Sequence, residues 1–347
     1  MKKSQKMLPV FLVLVMVLGI FLTGCSREEK TVKENQKAKL KVGLVLDIGE
    51  GEKNPFDIST LEGLKRAQKD FKDSIETSSY KPDAKTSRDQ LARKLASQKY
   101  DLVICAGTFF TNVLPKIAQD YPGTKFVLID DQLPEGKTKP NVMCISFREQ
   151  ESGFLAGVAA ASSTQTGKIG FVGGMKCPPL DRFEAGYKAG ARYVNPDTEV
   201  LVQYIANNAI GFANPEQGKA VASQEIADGA DVIYQVSGAS GEGVIAAAAA
   251  AKKLAIGTDS DQSLTADSKV RSSILMSTTK NLDEAVYKSV EILVKGEYKG
   301  QSIQMGLKEK GLGYAENHYY PELLGDVKVK LDEVSAKIIN GEIDVTK

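Results

Sequence analysis

Short apolar, β-rich runs alternate with amphipathic or small-residue helical patterns along most of this chain, and this limits the folds open to it. The first series predicts a strand over 40–46, helices over 59–71 and 87–98, and a strand over 101–105. A helix over 112–120, strands over 125–129 and 142–147, and a small-residue helix over 149–161 complete it. Near Lys168 the series restarts: strand 168–172, helix 183–193, strand 199–205, helix 216–228, strand 231–236, helix 243–253 and strand 254–257. Runs such as Leu102-Val103-Ile104 and Val232-Ile233-Tyr234 are apolar on consecutive positions, which suits strands covered on both faces. The expected fold is α/β, with two doubly wound, mostly parallel lobes. No Pro/Gly/Ser-rich linker separates the two series, so several chain crossings between lobes are expected rather than two beads on a string.

The amino terminus belongs to neither series. Lys2, Lys3 and Lys6 precede an apolar run from Leu8 to Phe21, and Leu22-Thr23-Gly24-Cys25 follows. That order describes a secretory signal, and the run is shorter than the ~20 residues a spanning helix requires. Leu22–Cys25 resembles the lipobox of bacterial lipoproteins, which implies cleavage before Cys25 and a diacylglycerol thioether on it; an ordinary signal with an incidental cysteine is the alternative. The charged stretch 26–39 lacks aromatics and reads as a flexible tether.

Composition narrows the function. Lysine and arginine number 45 and acidic residues 44, so nothing points to nucleic acid or to an anionic surface. Cys105 and Cys144 lie in apolar runs and read as buried hydrophobes, while Cys177 lies in a Gly/Pro-rich loop and is expected to be exposed. One histidine, His318, gives no basis for a His-based triad or a multi-His metal site, and no metal or cofactor is expected.

Ligands of open parallel sheets bind beyond the carboxyl ends of the strands. Those positions here carry Asp47, Gly107, Asp130, Gly238, Asp259 and Lys280, with Phe56-Asp57 and Phe212 in loops. Carboxylates accept from N–H and hydroxyl groups, and phenyl faces stack on flat rings. The set suits a neutral, flat, hydroxyl-bearing ligand better than an anion. Taken singly, each aspartate serves equally as a helix cap, each phenylalanine as packing and Lys280 as a solvated lysine. Gly238-x-x-Gly241-x-Gly243 lacks the Gly-Lys-Ser/Thr ending of a phosphate loop.

Several segments together resemble the basic membrane protein family of lipoproteins, which includes purine nucleoside receptors serving ABC transporters. They are the lipobox, Asp47…Phe56-Asp57…Glu62-Gly63, Asp101–Ile104 with Gly107, Tyr121-Pro122, Phe126–Asp130 and Phe147–Gly157. Gly173–Met175, Arg182–Tyr187, Gly238–Val244, Gly257–Gln262 and Lys280 complete them. The resemblance implies a type I periplasmic-binding-protein fold with three crossovers and a ligand between the lobes. It divides the chain into a signal (1–24), a tether (25–39), a first lobe (40–146 plus about 258–292) and a second lobe (147–257 plus about 293–347).

It also implies residue roles. Phe56 and Phe212 would sandwich a base; Asp47 and Asp57 would lie near its edge; Asp130 would accept from it. Asp259 and Lys280 would hold ribose hydroxyls, with Gly107 and Gly238 in the same site. Phe183, at a helix start, is expected to serve packing. The implied protein is not an enzyme. It would be anchored through Cys25 on the extracytoplasmic face of the cell membrane and would pass a nucleoside to an ABC permease. A sensor or adhesin of the same fold, or a nucleoside-processing enzyme, are the other readings. One departure stands out: where the family has Asp-Lys-Ser-Phe-Asn, this chain has Lys53-Asn54-Pro55-Phe56-Asp57, so a carboxylate replaces an amide after the phenylalanine.

Overall fold

All fifteen expected strands and helices form where the alternation puts them, within about five residues at their ends; the helix expected over 112–120 is the seven-residue Leu114–Asp120. The computed structural model describes residues 38–46, 54–83 and 85–345. The expected signal, most of the expected tether, Cys25 and Asp47 lie outside the described residues.

In chain order the first series is β1 (Leu40–Val45), α1 (Pro55–Asp70), β2 (Ile75–Tyr80), α2 (Arg88–Ser97), β3 (Leu102–Ala106), α3 (Leu114–Asp120), β4 (Lys125–Ile129) and β5 (Val142–Phe147). The second is α4 (Glu149–Ser163), β6 (Lys168–Gly173), α5 (Pro178–Val194), β7 (Glu199–Tyr204), α6 (Pro215–Ala227), β8 (Val232–Val236), α7 (Gly241–Ala250), β9 (Leu254–Gly257), α8 (Gln262–Thr265) and β10 (Ile274–Lys280). The tail adds α9 (Leu282–Val294), β11 (Ser302–Met305), β12 (Leu312–Glu316) and α10 (Val327–Ile339).

Two six-stranded sheets result, ordered β11-β5-β4-β3-β1-β2 and β12-β10-β9-β8-β6-β7. The inner order 2-1-3-4-5 recurs as 7-6-8-9-10, so the lobes are topological repeats. Every pairing is parallel except β10 with β12. The central strands β3 and β8 are buried at all five positions, as their apolar runs require.

The sheets correct the expected lobe boundaries. β10 pairs with β9, so 258–280 stays in the second lobe; it was expected in the first. β11, expected in the second lobe, pairs in parallel with β5 of the first. The chain therefore crosses after β5, after β10 and after β11. Side chains tie these crossings together. Arg148 donates to Glu151 at 2.5 Å and to Glu309, Glu151 accepts from the Leu307 amide at 2.6 Å, and Asn281 donates to the Lys310 carbonyl at 2.7 Å.

Helices α4 and α5 meet backbone to backbone. A Cβ on Gly153 or Gly157 would collide with the carbonyl of Phe183 or Tyr187, and one on Gly186 or Gly190 with that of Gln150 or Phe154. The small-residue run that marked α4 in the sequence is the condition for this approach.

Beside β6, Glu225 of α6 is wholly buried, and neither carboxylate oxygen has a hydrogen-bond partner among the described residues. Burial pushes its carboxyl up to about 9, and the nearby charge of Asp228 adds to the rise. A carboxyl whose folded value lies above its unfolded one favours the fold below the unfolded value and loses that contribution as pH climbs through the folded one. Glu225→Gln carries no such penalty. We expect it to stabilise the protein by roughly 2 kcal/mol at pH 7, with the gain vanishing near pH 4, as read by thermal unfolding across pH. Equal stability of the two proteins at pH 7 would contradict this.

Candidate functional site

A cleft of about 600 Å³, including its open mouth, lies where the carboxyl ends of both sheets meet. The first lobe lines it with Asn54, Phe56, Thr108, Phe109 and Asp130; the second with Phe212, Val236, Ser237, Gly238, Asp259, Lys280 and, at the start of α5, Cys177, Pro179, Leu180 and Phe183.

Backbone conformation at the strand ends builds this wall. Gly107 follows β3 with φ 101°, and Gly238 follows β8 with φ 56°. Asp130 follows β4 with φ 78°, and Asp259 follows β9 with φ 70°. β3 and β8, and likewise β4 and β9, are equivalent strands of the two lobes, so each lobe takes up left-handed backbone within two residues of the same strand ends. Left-handed backbone is uncommon outside glycine, although aspartate tolerates it. Such residues gather at binding sites, where the surrounding fold holds the strain.

Charge crosses the cleft. Lys280 ends β10, is 3 % exposed, and donates to Asp130 of the first lobe and, at 3.1 Å, to Glu149 at the start of α4. Arg182 donates to the other Glu149 oxygen at 2.6 Å. Burial alone would lower the Lys280 ammonium; the charges of Asp130, Glu149 and Asp259 more than reverse this and keep it cationic. Burial also raises the Asp130 carboxyl, against the pull of Lys280. Three carboxylates face two cations here, an unfavourable place for an anionic ligand.

Phe56 and Phe212 stand on opposite lobes. Asn54 caps α1, accepting from the Phe56 amide at 3.1 Å, and Pro55 opens the helix, so Phe56 is fixed at its first turn. The Phe212 ring lies against Gly174, where any Cβ would strike it. The glycine lets one face of the ring press on backbone.

Of the residues named from sequence, Phe56, Asp130, Phe212, Gly238, Asp259 and Lys280 line one cleft. Gly107 does not line it but starts the turn that carries Thr108 and Phe109. Asp57, expected near the ligand edge, is 2 % exposed and is not among the lining residues; neither oxygen has a partner among the described residues. Burial pushes its carboxyl up to about 7, with Lys81 opposing. Cys177, expected to be exposed, is buried in the cleft wall because it precedes a helix opened by two prolines. Phe183, expected to pack, is 2 % exposed and both packs and lines the cleft. Sequence reasoning missed Asn54, Phe109, Leu180 and Glu149. Asn-Pro and Cys-Pro-Pro at helix starts were the available signals for the first and third.

Two α/β lobes joined by three crossings around a cleft, with ring faces and hydrogen-bonding groups from both sides, define a solute-binding protein. Residues 40–347 match the family model described as "ABC transporter substrate-binding protein PnrA-like", and the chain belongs to this Bmp family. It is 32 % identical to Basic membrane protein A of Borreliella burgdorferi over 96 % of this chain and 94 % of that one. It is 33 % identical to an uncharacterized lipoprotein of Pyrococcus furiosus, over 87 % of this chain and 75 % of the relative. Among solved structures, an ABC transporter solute-binding protein of Aeropyrum pernix superposes with a TM-score of 0.77 at 28 % identity, covering 88 % and 92 % of the two chains. The family consists of substrate-binding proteins, not enzymes.

Proposed function

We propose that this ABC transporter substrate-binding protein captures a nucleoside, with a purine base, between its lobes. In this reading residues 1–24 are a signal ending in a lipobox, Cys25 carries the lipid that holds the protein on the extracytoplasmic face, residues 26–39 tether the lobes to that anchor, and an ABC permease is the partner. The observation that carries the reading is the pairing of Phe56 and Phe212, one from each lobe, in a cleft with Asp130 and Asp259 at matched strand ends. Flat faces suit a heterocycle. Asp259 and Lys280 suit sugar hydroxyls, and Asp130 accepts from the base once Lys280 turns partly toward the ligand. The excess of carboxylates opposes a phosphate, so nucleosides are expected to bind and nucleotides not. Closure of the lobes about their crossings would bring both halves of the site onto the ligand.

A thermal-shift screen against nucleosides, nucleoside monophosphates, free bases and sugars tests this, because a ligand well above its dissociation constant raises the melting temperature. A purine nucleoside should shift the wild type, and its monophosphate should not. Phe56→Ala should weaken binding roughly tenfold or more. Asp259→Ala should abolish the shift with the ligand-free protein still folded. A sugar that shifts the protein while no nucleoside does would refute the ligand assignment.

A further inference from the structure

Phe109 lines the cleft but has no part in the reading above. It sits in the single turn Thr108–Phe110 after β3, which Gly107 makes possible with its positive φ. Thr108 and Thr111 pin this turn by donating to the same Asp131 oxygen at 2.5 and 2.6 Å. Phe110 is wholly buried in the core of the first lobe. The turn therefore anchors itself with one phenyl ring and presents the next one at the cleft. The guanidinium carbon of Arg88, the first residue of α2, stands 4.3 Å from the centroid of the Phe109 ring, over its face. A cation over one face holds an aromatic ring by its quadrupole. The ring is thus held over one face, and a prepositioned group loses less freedom when a ligand arrives.

Resting on the nucleoside reading, we propose that Phe109 is a third aromatic contact for the ligand's heterocycle, with Arg88, stacked over its ring, as the positioning residue. The first lobe then contributes two rings, Phe56 and Phe109, and the second contributes Phe212.

The chain contains no tryptophan, so Phe109→Trp places a single indole in the molecule. Its emission should be quenched as inosine or guanosine is added, saturating at the concentration found by calorimetry on the same variant. Phe109→Ala should bind roughly tenfold or more weakly by calorimetry, with its ligand-free melting temperature close to wild type. Arg88→Gln in the Phe109→Trp background should reduce the quench at saturation, because the ring is no longer held. Tyr319→Trp, at an exposed position that does not line the cleft, should show no quench. An indole at 109 that stays unquenched through a saturating titration, or a Phe109→Ala variant within twofold of wild type, overturns the assignment of Phe109 alone. A wild type that gives no heat with any nucleoside overturns the nucleoside reading and this inference together.

Discussion

Replacing Lys280 with methionine should cost about 3–5 kcal/mol of stability at pH 7 and abolish ligand binding. The stem of the side chain remains, so packing against Phe147 and Phe183, over whose rings the ammonium now sits at 5.2 and 5.1 Å, is largely preserved. The charge does not remain. Asp130 and Glu149 lose their shared cation while buried, and only Arg182 still serves Glu149. Burial already raises the Asp130 carboxyl against the pull of Lys280, and without that cation Asp130 binds its proton more tightly still in the folded state than in the unfolded one. The penalty should therefore be largest above neutrality and should shrink as pH falls toward 5. Urea unfolding of both proteins at pH 8 and pH 5 measures it. A loss that is the same at both pH values would mean that packing, not charge, is the role of Lys280.

Gly157→Leu should cost at least about 3 kcal/mol, because α4 and α5 have no room between them for any side chain at this position. The clash is with the Tyr187 carbonyl, part of a rigid helix backbone, and cannot be relieved by a rotamer change. Forcing the helices apart also disturbs the site: Glu149 opens α4, and the start of α5 carries the cleft residues Leu180 and Phe183. Binding should weaken along with stability. Gly123→Ala, where nothing lies within 4 Å, is the control and should unfold like wild type. If Gly157→Leu matched that control, the close helix contact would be wrong.

The lobes and the polar strand-end part of the cleft were legible in the sequence because strand ends are easy to find. A buried parallel strand is a continuous apolar run, and the next residues lie at the ligand face by topology. Asp130, Asp259 and Lys280 were found in this way. Two kinds of feature were hidden. One was the edge strands β2 and β11, Ile75–Tyr80 and Ser302–Met305, which are half exposed and mostly polar and so carry no apolar run. Without β11, and without the pairing of β10 to β9, the crossing points of the lobes could not be read. The other was helix starts. Pro55, Pro178 and Pro215 each open a helix, where the missing amide costs nothing, yet in sequence a proline reads as a break. The helices expected from Ser59 and Phe183 begin at Pro55 and Pro178, and the turns gained hold Asn54, Cys177 and Leu180 in the cleft wall. Asp57 was placed near the ligand edge by the family resemblance alone; as the helical neighbour of Phe56 it points about 100° away and is buried outside the cleft lining.

Isothermal titration of the purified protein with inosine, followed by chromatography of the mixture, tests the central claim most directly. One site per chain is expected, with a negative heat-capacity change from burial of the base between phenyl rings and recovery of intact inosine. Absence of heat with inosine, guanosine and adenosine, or release of free base from them, would contradict it.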